Sequence, residues 1–137
     1  MTEENVIEGG CLCGKVLYEI RGTLQSADNC HCSKCRRHHG AAFATYADFV
    51  PGTFRWVSGQ ELLKVFETSS GAGWCFCFEC GSSLAATDNG EVTSVTLGTV
   101  KGDPGVRPQM HIFTGSKASW FSITDDLPQY ERRAVDE

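Results

Sequence analysis

Trp74-Cys75-Phe76-Cys77-Phe78-Glu79-Cys80-Gly81 packs three cysteines into one short run, and two companion runs decide how it is read. Cys11-Leu12-Cys13-Gly14 lies far upstream, and Cys30-His31-Cys32-Ser33-Lys34-Cys35 lies between them. All eight cysteines of the 137-residue chain fall in these three clusters. Thiolates one or two residues apart can converge on one ion about 2.3 Å away, whereas such close neighbours form disulfides only with strain. A disulfide framework is the competing reading. Against it, the chain opens Met1-Thr2-Glu3-Glu4-Asn5 without the basic and apolar pattern of a secretory leader, and it is long enough to bury a core without staples. The clusters therefore read as metal ligands.

All-sulfur ligation selects zinc, iron–sulfur clusters or copper(I). Ferredoxin spacings are not matched, so zinc is expected. Cys13-Gly14 and Cys80-Gly81 both end in glycine, which relieves the turn that aims backbone amides at a sulfur. Such knuckles come in pairs around one ion, so Cys11 and Cys13 pair with Cys77 and Cys80 at a structural zinc. Cys30, Cys32 and Cys35 remain, three thiolates able to hold a second zinc with one position open. Cys75 is left over, either a small buried hydrophobe in a strand, the reading preferred, or a fourth ligand closing the second site. Two zinc ions are thus expected, the second the more labile. Lys34, Arg36 and Arg37 surround Cys35 on a chain of net charge −5. They read as an anchor for the carboxylates of an anionic thiol, or more simply as a solvated turn.

Working outward, most segments alternate as β-strands: 15–21, 43–49, 53–57, 62–67, 82–87, 92–100 and 110–113. Asp88-Asn89-Gly90 marks a hairpin. One helix is expected from Ser33, as its cap, over 34–39 to Gly40, with its amino end at the second site. The pattern predicts a mainly β, antiparallel domain of two or three sheets clamped by zinc. The single domain spans 1–137, its core about 9–129, with both ends frayed. No apolar run is long enough to span a bilayer, and the acidic balance and lack of a long basic stretch argue against nucleic acid. His31 should point away from the ion, His38 and His39 should cap or solvate the helix end, and His111 should be structural. Asp125-Asp126 reads as a cation site or a turn before Leu127-Pro128.

At these residues the chain resembles a known family. Gly9-Gly10-Cys11-Leu12-Cys13-Gly14-Lys15-Val16, Cys30-His31-Cys32-Ser33-Lys34-Cys35-Arg36 and Phe76-Cys77-Phe78-Glu79-Cys80-Gly81-Ser82 are similar to the blocks of the glutathione-dependent formaldehyde-activating enzymes, also called the centromere-protein-V-like family. Pro108, His111-Ile112-Phe113, Ser116-Lys117-Ala118, Trp120 and Leu127-Pro128 continue the likeness. Where the family often has a basic residue before the last cluster, this chain has Trp74-Cys75. The resemblance implies a β-tent (Mss-four-like) fold. It implies a structural zinc on Cys11, Cys13, Cys77 and Cys80 and a substrate-site zinc on Cys30, Cys32 and Cys35. It also implies a carbon–sulfur lyase joining or splitting a small thiol such as glutathione and a small aldehyde such as formaldehyde; the cysteine usage and the opening residues lead us to expect a cytoplasmic protein. No catalytic side chain is assigned. The non-enzymatic alternative is a zinc-binding module for a thiol or protein ligand.

Overall fold

The computed structural model describes residues 5–133. It contains ten strands and one α-helix among those residues: β1 (Val6–Gly10), β2 (Leu17–Arg21), β3 (Leu24–Cys30), α1 (Ser33–His39), β4 (Ala44–Phe49), β5 (Phe54–Ser58), β6 (Leu63–Glu67), β7 (Ala72–Cys77), β8 (Ser83–Asp88), β9 (Glu91–Thr96) and β10 (Pro108–Ile112). The mainly β class with one helix is the one the sequence predicts. β1, β2 and β5 form a three-stranded antiparallel sheet. The other strands form a seven-stranded sheet in the order β10-β3-β4-β9-β8-β7-β6. One pair departs from the expected antiparallel pattern: β10 runs parallel to β3. The long connection between them lets the chain return in the same direction, which a tight hairpin does not allow.

Alternation explains the core. In β2 Tyr18 and Ile20 turn inward with Val16 before them, while Leu17 and Arg21 face outward. They pack with Leu84, Val95 and Phe49 from the large sheet; the rings of Tyr18 and Phe49 stack on Phe54, and Trp56 meets Tyr18 and Phe54 edge-on. Burying one such side chain stabilises by about 1.5–3 kcal/mol. Asn89-Gly90 makes the two-residue hairpin between β8 and β9, both residues at positive φ.

Three strands are not legible from alternation alone. β1 ends in two glycines, β3 is polar along Gln25 to Asn29, and the alternation of β7 is hidden by its cysteines. The fraying expected over residues 2–5 and 131–137 lies outside the described residues for 2–4 and 134–137, and is not seen at Asn5, Glu131 and Arg132, which are hydrogen-bonded. Asn5 exchanges hydrogen bonds with Gly22, and the start of the tail is tied in: Gly115 N–H donates to Glu131 and Phe113 N–H to Arg132.

Candidate metal centre

The first cysteine group joins the two sheets. Cys11 and Cys13 sit on the turn between β1 and β2, Cys77 ends β7, and Cys80 follows it on the turn into β8. The two turns mirror each other. Gly14 N–H donates to the Cys11 carbonyl and Gly81 N–H to the Cys77 carbonyl, with both glycines at positive φ near 81° and 82°. A side chain would strain either turn. The four sulfurs lie within 4.8 Å of one another. The Cys11–Cys13 and Cys13–Cys77 separations are 3.5 and 3.9 Å. A tetrahedron of sulfurs each about 2.3 Å from a zinc has edges of about 3.8 Å, so the donor set fits that ion. No disulfide forms among the eight cysteines.

Backbone and hydroxyl donors surround these sulfurs. Val16 N–H donates to Cys11 Sγ at 3.3 Å, and Ser82 Oγ lies 3.3 Å from Cys80 Sγ while accepting from Leu12 N–H. The Ser82 hydroxyl and amide bring the Cys80 thiol down to about 5. Lys15 and Glu79, one from each turn, pair at 2.7 Å on the surface, where solvent screening leaves such a bridge worth little.

The second group is held by one loop. Cys30 ends β3, and Cys32 and Cys35 flank the start of α1. Their three sulfurs also lie within 4.8 Å of one another. The helix cap is Cys32 rather than Ser33: Cys32 Sγ accepts the Cys35 N–H at 3.2 Å. A sulfur takes the place the Ser33 hydroxyl was expected to fill, which ties the cap to the metal group. Gly40 ends the helix as expected, in the left-handed region. Cys32 ionises most readily of the three, because the thiols of Cys30 and Cys35 and the amide of Cys35 donate to it.

Cys75 does not join this group. Strand alternation turns it to the face of β7 opposite Trp74, opposite Ala85, where burial pushes its thiol up to about 11. The preferred reading of Cys75 as a buried hydrophobe is the one the geometry gives.

A cavity of about 450 Å³ opens over the second group, lined by Cys30, Cys32 and Cys35 with Tyr46, Trp74 and Phe113. This is within the size range of small-molecule sites. Tyr46 and Trp74 are the residues sequence reasoning missed. Trp74 Nε1–H donates to Tyr46 Oη at 2.8 Å, His39 Nε2 lies 2.9 Å from the same oxygen, and Tyr46 O–H donates to Cys35 Sγ at 3.4 Å. The hydroxyl is thus saturated, and its hydrogen is aimed at the thiol.

His38 and His39 are therefore packed rather than solvated: His38 stacks on Trp74 at 4.7 Å and meets Ser83 Oγ at 3.1 Å. Charged groups also reach the cavity. Lys34 lines it, and so does Arg133, held over the Phe113 ring. Asp28 and Asp48 line it as well, and burial with the Asp48 charge pushes Asp28 up to about 6. Arg37 is exposed, while Arg36 is engaged elsewhere, its Nε–H donating to the Ser116 carbonyl at 3.1 Å; neither lines the cavity. Once β3 is recognised, alternation back from Cys30 puts Asp28 on the cavity face, a signal the sequence held.

The sequence model of the glutathione-dependent formaldehyde-activating enzymes matches residues 6–116, most of the chain and all eight cysteines. The chain belongs to this family. Among solved structures, it is similar to the crystal structure of a Rhodobacter sphaeroides protein, with a TM-score of 0.58 and 27% identity, over 72% of this chain and 91% of that one. No curated protein matches the chain. Both cysteine groups and Lys34, Tyr46 and Trp74 lie within the family match; Asp125 and Arg133 lie beyond it. No helix among the described residues is long and apolar enough to cross a membrane.

Proposed function

We propose that this member of the family adds a small thiol of the glutathione class to a small aldehyde such as formaldehyde, or catalyses the reverse cleavage. The observation that carries the reading is the contrast between two cysteine groups: four sulfurs converging on one point where the two sheets meet, and three sulfurs opening on a cavity. We assign a structural zinc to Cys11, Cys13, Cys77 and Cys80, and a second zinc to Cys30, Cys32 and Cys35. Cys30, Cys32 and Cys35 would hold this ion, which would lower the pKa of an incoming thiol so that it is ionised at neutral pH. The addition breaks the thiol S–H bond and the carbonyl π bond, forms one carbon–sulfur bond, and returns the thiol's proton to the former carbonyl oxygen as a hydroxyl; the reverse cleavage undoes each of these.

The chain's own residues do the rest. Tyr46 donates to Cys35 and fixes its sulfur. Trp74 and Phe113 give the cavity apolar walls against which a substrate's carbon skeleton packs. Lys34 and Arg133 supply the cations for substrate carboxylates. Arg36, anchored on Ser116, adds positive potential beside the helix. Eight unpaired thiols call for a reducing compartment, and we place the protein, acting as one domain, in the cytoplasm.

The test is the exchange rate between free formaldehyde and its glutathione adduct, read by carbon-13 exchange spectroscopy with zinc-loaded protein. The proposal expects exchange to accelerate in proportion to protein and to fall to the uncatalysed rate in Cys32→Ala. Glutathione binding with exchange at the uncatalysed rate would instead favour a non-catalytic thiol-binding module.

A further inference from the structure

We propose that Asp125, His111 and His31 form a positioning chain that holds the loop carrying Cys30 and Cys32, acting on the three-sulfur group from the protein surface without touching it. The inference rests on the metal reading of that group and concerns residues to which that reading gives no role. Asp125 also lies outside the part of the chain matched by the family.

The chain is continuous. Both oxygens of Asp125 approach His111 Nε2, at 3.0 and 3.2 Å. His111 Nδ1 lies 2.8 Å from His31 Nε2. Both rings are fully buried, and Phe43 and Phe121 pack against His31. His31 stands between Cys30 and Cys32, and its N–H donates to the Ile112 carbonyl at 2.9 Å. Backbone and side chain thus pin this residue to β10 and to the segment after it. The two flanking sulfurs inherit that placement.

Asp125 sets the direction of every hydrogen in the chain. Its ionised carboxylate only accepts, so His111 carries its hydrogen on Nε2. In the proposed arrangement, His111 Nδ1 then accepts and His31 donates from Nε2. This leaves His31 Nδ1 as a bare acceptor, and that atom is buried without a partner. The reverse order would bury a bare N–H there, and orphaned N–H groups are rarer than under-satisfied acceptors.

Asp125→Asn should reverse the order. Oδ1 of Asp125 already accepts the Leu127 N–H at 2.9 Å. With Oδ1 kept there, the amide of the variant presents N–H to His111 Nε2 and turns both rings to the Nδ1–H form. His31 Nδ1–H then has no acceptor among its aromatic neighbours, and the ring can relax only by shifting the loop.

Two measurements test this on the intact, zinc-loaded chain. Nitrogen-15 spectra of the parent protein should show both His31 and His111 as Nε2–H tautomers; an Nδ1–H signal for either overturns the proposal without any variant. For Asp125→Asn, both signals should switch, and one of the two zinc equivalents should pass to a chelator roughly ten to a hundred times more readily, as when supporting groups around metal ligands are lost. The other equivalent should be unaffected, and Asp125→Glu, which keeps a carboxylate, should restore part of the retention. Switched tautomers with unchanged zinc release refute positioning. If the parent protein binds no zinc at the three-sulfur group, the metal reading has failed instead.

Discussion

Tyr46→Phe removes one oxygen at the junction of the helix, the large sheet and the three-sulfur group, and its cost follows from its partners. Trp74 is 6% exposed, so its indole N–H is left without an acceptor and without water. An unpaired buried donor costs about 1–3 kcal/mol. His39 is half-buried and loses less, because water reaches it. The total is about 2–4 kcal/mol, and a chain this long loses about 3–4 °C of Tm per kcal/mol. Tyr18→Phe is the control: among the described residues the Tyr18 hydroxyl has one hydrogen-bond partner, the Thr99 hydroxyl at 2.7 Å, and that hydroxyl keeps its own bond to Thr96. Its loss should be near 1 kcal/mol. Urea unfolding of the two zinc-loaded variants against the parent gives the comparison. If Tyr46→Phe costs no more than Tyr18→Phe, the saturated hydroxyl is not what holds this junction.

Cys80→Ser should release one metal and destabilise the whole chain, because an ion held by these four cysteines would bridge ligands from distant parts of the sequence; a variant that keeps all its metal and melts like the parent refutes the four-sulfur assignment. Burial and the adjacent His38 hold His39 down at about 4, below its unfolded value near 6.5. The stability contributed by neutral His39 is complete above about 6.5 and is lost as pH falls towards 4. After allowance for partial exposure this amounts to about 2 kcal/mol, and His39→Gln should flatten that part of the pH–stability curve in denaturant titrations. Lys34→Ala should weaken glutathione binding roughly tenfold by calorimetry with unchanged Tm, whereas Arg36→Ala should lower Tm by losing its Ser116 contact.

The cysteine spacing carried the site. Cys11-x-Cys13-Gly14 and Cys77-x-x-Cys80-Gly81 are local knuckles whose form depends on their own glycines, so their pairing was legible before any sheet was placed. Tyr18 and Ile20 announced their strand because one face is buried. The cavity was not legible in the same way. Tyr46, Trp74, Asp28 and Arg133 come together only through the order β3-β4-β9-β8-β7 and the return of the tail, and sheet order is a long-range property. Ser33 was the natural cap by residue type, but Cys32 took the position because a thiolate accepts the same amide. His38 and His39 looked like a polar helix end, whereas Trp74 and Tyr46, supplied by distant strands, cover them.

Cadmium-113 spectra of the protein reconstituted with cadmium and titrated with glutathione test the central claim most directly, since the cadmium shift moves downfield as sulfurs are added. The account predicts two signals of equal intensity. The one from Cys11, Cys13, Cys77 and Cys80 should ignore the thiol, and the one from Cys30, Cys32 and Cys35 should move downfield as a fourth sulfur arrives. A single signal, or two four-sulfur signals that glutathione leaves in place, would contradict it.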